Sequence, residues 1–173
     1  MSKLKLEVIK YSKKLNSTNL SALRSGNISI RVKVKGVDGF YITPSGMRYS
    51  KLKIKDIVFV SLKGIFDKKK RKPSSEWRFH QNIYVNKKEA KAIVHAHSTC
   101  STAVSSHQKN IPAFHYMVAV AGGEDLKCAK YATFGTKQLS RNIIKALKNR
   151  TACLIANHGQ VAFGDSLEKA FEL

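Results

Sequence analysis

Residues 27–35, NISIRVKVK, alternate strictly. Ile28, Ile30, Val32 and Val34 share one face, while Ser29, Arg31 and Lys33 share the other. A period of two is the signature of a half-buried β-strand. Such a strand needs partners at its edges and an apolar layer over one face, which commits the chain to a sheet-based core. The rest of the sequence supplies both. Val37-Asp38-Gly39 is expected to turn the chain, with FYIT as the hairpin partner. IVFVSL, AKAIVHAH and TACLIANHGQVAFG read as further strands, the last broken at His158-Gly159.

Helical spacing appears between them. Leu4, Val8, Ile9 and Leu15 lie near one face of a helix over residues 4–15. Pro73-Ser74-Ser75-Glu76 has the form of a helix start, with serine as cap, for a helix running to about Tyr84. A further helix is expected from Ser98 to His107. Thr136 caps another, with Leu139, Ile143, Ile144 and Leu147 inward, and Ser166 caps the last. The expected fold is α/β, one domain over residues 1–173, with antiparallel pairing near its start.

A length of 173 residues suits one domain with a substantial core. No apolar run approaches the ~20 residues that span a bilayer. MSKLKLEVIKYSKK lacks the apolar core and small-residue cleavage site of a secretory signal. Cys100, Cys128 and Cys153 are odd in number and contain no CxxC pair, so three small buried or half-buried thiols in a reducing, cytoplasmic setting are expected. The net charge of +21 attracts anions, but it comes from 25 lysines and only 7 arginines, scattered along the chain. Arginine is the residue of choice for forked base and phosphate contacts. A lysine-coated solvated surface is therefore expected, with no specific nucleic acid and no membrane as partner.

Three features carry chemistry. Val94-His95-Ala96-His97 sets two imidazoles at i and i+2 of a strand, on one face. His158 follows a second apolar strand. Three histidines with an open fourth position make a catalytic zinc site. Two half-buried histidines account for HxH alone, and the third brings the metal reading level with that one. Glu76, behind Ser74-Ser75 at a helix start, is stabilised as an anion by the helix dipole, and the same turn can hold a phosphate. On the residues alone the capping reading of Ser-Ser-Glu is preferred. Gly26-Asn27 and Ser45-Gly46 are two more small, polar turns able to offer backbone N–H groups to an anion. His80 and His115 are expected to be structural, and His107 exposed.

The strings PSSEWRFH, VHAHS, IPAFHYMVAVAGG, YATFGT and NHG, in this order and spacing, resemble the class II aldolase/adducin family, in particular its zinc-dependent L-fuculose-phosphate aldolases. The resemblance covers almost the whole chain. It implies a central, mostly antiparallel sheet flanked by helices, usually in a cyclic homotetramer with active sites at subunit interfaces. It implies one zinc ion per subunit on His95, His97 and His158, with Glu76 as acid/base and a ligand when the site is empty. It implies phosphate-binding turns at Gly26 with Asn27, Ser45 with Gly46, and Ser74 with Ser75. It implies that Tyr116 reaches a neighbouring subunit's site and serves the aldehyde oxygen. The implied activity is cleavage of a sugar phosphate such as L-fuculose 1-phosphate to dihydroxyacetone phosphate and L-lactaldehyde. Related epimerases carry Asp where this chain has Glu76, which favours the aldolase. The alternatives are a pentulose-phosphate 4-epimerase, a methylthioribulose-phosphate dehydratase, or a truncated non-catalytic adducin-like domain. Two departures stand out: Ala156-Asn157 precedes His158 where the pattern often has another His, and the family continues past Leu173 with a helical segment and a tyrosine-bearing tail. The chain as given is therefore expected to be a weak catalyst with an intact zinc site.

Overall fold

The computed structural model describes residues 2–173. Seven strands form a single sheet: β1 (Asn27–Val34), β2 (Val37–Ile42), β3 (Val58–Ser61), β4 (Ala92–Ala96), β5 (Cys128–Ala129), β6 (Ala152–Ile155) and β7 (Gly159–Gly164). Their order is β3-β2-β1-β4-β7-β6-β5, and every neighbouring pair is antiparallel except β5 with β6. The helices are α1 (Ser2–Ser17), α2 (Trp77–Asn86), α3 (Thr99–Ser105), α4 (Lys137–Ala146) and α5 (Leu167–Glu172). The fold is the expected α/β domain.

The strand period of two sorts the core into layers. Phe40, Ile42, Ile93 and Phe163 pack with Phe79 and Ile83 of α2 and Leu139 and Ile143 of α4. Ile28, Ile30, Tyr41 and Val94 face the other way, onto Val8 and Leu15 of α1 and Leu167 of α5. Along β4, Ile93 therefore shares its face with His95, and His97 continues that face just past the strand's end. This parity aims both imidazoles toward the α2 side.

Four local expectations are corrected. The β1–β2 hairpin closes at Lys35-Gly36, both at positive φ (47° and 82°), and Val37-Asp38-Gly39 lies inside β2. Strand β1 is half-buried only in its second half: Ser29, on its polar face, is fully buried beneath α2. The N-cap of α2 is Glu76, with no side-chain cap, and the Ser74 hydroxyl accepts the Glu76 N–H at 3.3 Å. Cys100 is exposed, while Cys128 is half-buried and Cys153 buried. Thr136 and Ser166 cap α4 and α5 as expected, accepting from the amides of Leu139 and Lys169. No helix among the described residues is long and apolar enough to cross a membrane.

Candidate active site

The site forms where three elements meet beside β4. Strand β1 begins opposite its end, with Asn27 paired in register to His95. Gly26, at φ +75°, enters that strand so close to β4 that a Cβ would lie 2.5 Å from the His95 carbonyl oxygen. The β6–β7 turn delivers His158, and α3 holds that turn: the Ser105 carbonyl accepts the Asn157 N–H at 3.1 Å, and the Ser105 hydroxyl accepts the His158 N–H at 3.3 Å. The start of α2 delivers Glu76.

These elements bring Glu76, His95, His97 and His158 together, with one ligand-type atom from each, all within 4.8 Å of one another. The Nε2 atoms of His95 and His97 are 2.9 Å apart. His95 Nε2 lies 3.1 Å from Glu76 Oε2, and His158 Nε2 lies 3.5 Å from Oε1. His95 Nδ1 donates to the Gln160 carbonyl at 2.7 Å, which turns Nε2 into the cluster. Burial first, and then the neighbouring His95 imidazole, pushes His97 down to about 3 and His158 down to about 4, so both rings are neutral with free lone pairs at pH 7. Burial alone would raise the Glu76 carboxyl. The His95 and His158 imidazoles and the Asn27 amide outweigh it and lower that carboxyl to about 2.

A cluster of acceptor lone pairs around an ionised carboxylate is the donor set for a cation. Among the described residues, Glu76 Oε1 is the one buried side-chain polar atom with no hydrogen-bond partner. Such an orphan costs about 1–3 kcal/mol, more when charged, and a cation removes that cost. The residues therefore fit a divalent metal with N/O ligands.

Glu76, His97 and His158, with His95 buried behind them, form one wall of a cleft of about 340 Å3. All six turn residues expected to hold phosphate line it: Gly26, Asn27, Ser45, Gly46, Ser74 and Ser75. They do not contribute alike. The Ser45 N–H is bonded to the Lys72 carbonyl and the Ser74 N–H to the Thr43 carbonyl, so neither is available to an anion. Asn27 gives one amide hydrogen to Glu76 Oε2 at 3.0 Å, and its oxygen faces His80. Tyr116 stands elsewhere. It is 77% exposed, in the 3₁₀ segment Tyr116–Ala121, and does not line this chain's cleft. His80 is wholly buried and lies outside the cluster, and His107 is exposed, both as expected.

Sequence reasoning missed Arg24, Tyr131 and Phe134. Arg24 is the one Lys or Arg lining the cleft, and it ties two turns together by donating to the Gly46 carbonyl at 3.1 Å. A lone arginine in the polar stretch before Gly26-Asn27 was the available signal. No lysine lines the cleft.

The same architecture occurs in characterised proteins. The chain is 44% identical over 172 residues to an L-fuculose phosphate aldolase of Escherichia coli (strain K12), covering 99% of this chain and 78% of that protein. It is 43% identical over 166 residues to a 5-methylthioribulose-1-phosphate/5-deoxyribulose-1-phosphate aldolase of Rhodospirillum rubrum, covering 96% of this chain and 73% of the relative. A solved L-fuculose 1-phosphate aldolase superposes with a TM-score of 0.92 at 41% identity, over 99% of this chain and 80% of its own. The profile described as "Class II Aldolase and Adducin N-terminal domain" matches residues 6–173. With sequence, fold and profile agreeing along nearly the full chain, it belongs to the class II aldolase/adducin family.

Proposed function

We propose that this chain is a zinc-dependent aldolase that cleaves a ketose 1-phosphate, such as L-fuculose 1-phosphate, to dihydroxyacetone phosphate and an aldehyde. The observation that carries this reading is the orphaned Glu76 Oε1 amid three converging imidazoles, at one wall of a cleft lined further by three small polar turns, Arg24, Tyr131 and Phe134. His95, His97 and His158, with Glu76 when substrate is absent, would hold the zinc, which supplies Lewis-acid stabilisation of negative charge on the ketose oxygens.

The chain's own residues do the rest. Retro-aldol cleavage removes the C4 hydroxyl proton, breaks the C3–C4 bond and returns a proton to C3. Glu76 is ionised at neutral pH, so it takes up the proton that the C4 hydroxyl releases and returns it to C3 through Oε1. The phosphate lies against the hydroxyls of Ser45 and Ser75 and the N–H groups of Gly46 and Ser75, at the Gly26-Asn27 end of the cleft. Ser74 serves by holding the Glu76 backbone. Anchoring the phosphate fixes the reacting carbons against Glu76. Tyr116 donates to the aldehyde oxygen in a neighbouring copy's cleft. An exposed apolar run of Phe114, Tyr116, Met117 and Val120 supports covering of this surface within a homotetramer.

The Rhodospirillum rubrum relative favours a second substrate for the same reaction, a 5-deoxypentulose 1-phosphate. The test is incubation of zinc-loaded protein with L-fuculose 1-phosphate or 5-deoxyribulose 1-phosphate. Release of dihydroxyacetone phosphate from either is expected. Formation of an epimeric pentulose phosphate without it would assign the chain to the epimerases, and no turnover with zinc bound would refute the catalytic reading.

A further inference from the structure

We propose that His80 is a positioning residue. It anchors a buried chain of polar side chains that fixes Glu76 Oε2 and leaves Oε1 as the working atom of the carboxylate. This rests on the reading of Glu76 as the acid/base group. Glu76, His80 and Tyr84 recur every four residues on one stripe of α2, and Asn27 and Ser29 lie two apart on one face of β1. Facing each other, the two sets interlock. All five side chains are buried.

The direction of every link follows from the first. An ionised carboxylate only accepts, so Asn27 turns its amide nitrogen to Glu76 Oε2, 3.0 Å away. Its oxygen then faces His80 Nε2, which must carry the hydrogen of that bond. A neutral imidazole protonated at Nε2 has a lone pair at Nδ1, and Ser29 Oγ, 2.7 Å away, donates to it. The Ser29 oxygen accepts in turn from the Tyr84 hydroxyl at 2.8 Å. Phe79 stacks on the His80 ring at 4.6 Å between centroids, with Phe40 at 6.5 Å, which blocks rotation of the imidazole. At the far end, Arg31 donates to the Tyr84 carbonyl.

With each donor and acceptor matched, the amide of Asn27 has one orientation. Reversed, it would set an oxygen against the Glu76 carboxylate and two hydrogens toward His80. The chain is not a proton wire, because a side-chain amide does not readily pass a proton along. Its effect is on geometry: the carboxylate is held by one oxygen and presented by the other.

The experiment is a double-mutant cycle on the zinc-loaded protein, with His80→Phe measured alone and in the Glu76→Gln background. Alone it should lower kcat by roughly 10–100-fold, the usual effect of losing a group that orients an active-site ligand. KM and zinc content should be unchanged. In Glu76→Gln it should have no further effect. His80→Gln, whose amide can donate to Asn27 and accept from Ser29, should restore most of kcat. Equal losses in both backgrounds would mean a structural role and overturn the proposal. If His80→Phe does not fold, Ser29→Ala takes its place in the same cycle with the same criterion. One readout is independent of activity: the imidazole 15N shifts of His80 at pH 7 should show a protonated Nε2 and a bare Nδ1. The opposite tautomer would overturn the proposal. Absence of cleavage by the unmodified protein would instead refute the aldolase reading, and the tautomer would still decide the chain's direction.

Discussion

Acid should unfold the metal-free protein partly through His80. Burial, aided by the neighbouring His95 imidazole and opposed by Glu76, pushes this imidazole down to about 3 from an ordinary value of 6.5. In the unfolded chain His80 takes up a proton below pH 6.5, while in the native core it stays neutral until about pH 3. Between those values the unfolded state binds one more proton, so stability falls as pH falls. The stabilisation is intact above pH 6.5. It is lost at about 1.4 kcal/mol per pH unit below, or about 3 kcal/mol by pH 4. His97 and His158 add losses of the same sign in the absence of metal. Glu76, lowered to about 2 from 4.5, adds its own only below pH 4.5. The assay is urea unfolding in EDTA at pH 7, 6, 5 and 4, comparing the native sequence with His80→Gln. The variant's stability should fall with a slope smaller by about one proton over this range. Parallel curves would refute the reasoning, because His80 would then titrate alike in both states.

Two substitutions probe the cleft directly. Glu76→Gln keeps shape and removes the proton acceptor, so kcat should fall by roughly 10²–10⁴, about 3–5 kcal/mol of barrier; steady-state release of dihydroxyacetone phosphate measures it, and unchanged turnover would remove Glu76 from the chemistry. Ser75→Asp sets a negative charge among the phosphate turns, so inorganic phosphate should compete with substrate at least about tenfold less well than in the native protein; equal inhibition constants would place the anion elsewhere.

Much of this site was legible because its residues are set by local period. HxH on a strand shares a face by geometry, and Ile93, His95 and His97 obey that rule. What failed had stronger local signals than the fold honours. Asp38-Gly39 is a better turn sequence than Lys35-Gly36, yet Gly39 lies within β2, where the Val60 carbonyl and the Phe59 ring leave no room for a Cβ. Ser29 looked solvent-facing by alternation, because nothing near it in sequence announces that α2 will cover it. The link from His80 to Asn27 joins residues 53 apart, and a link of that length has no local signature. The division of labour among the turns was equally hidden. Whether the Ser45 and Ser74 amides are free depends on Lys72 and Thr43, which the chain brings alongside only when folded.

The metal content of purified protein, measured by mass spectrometry after zinc loading and desalting, tests the central claim most directly. The account predicts one zinc ion per chain in the native protein and loss of stoichiometric zinc in His97→Ala, with matching losses in His95→Ala and His158→Ala. The same zinc content in all three variants would contradict it.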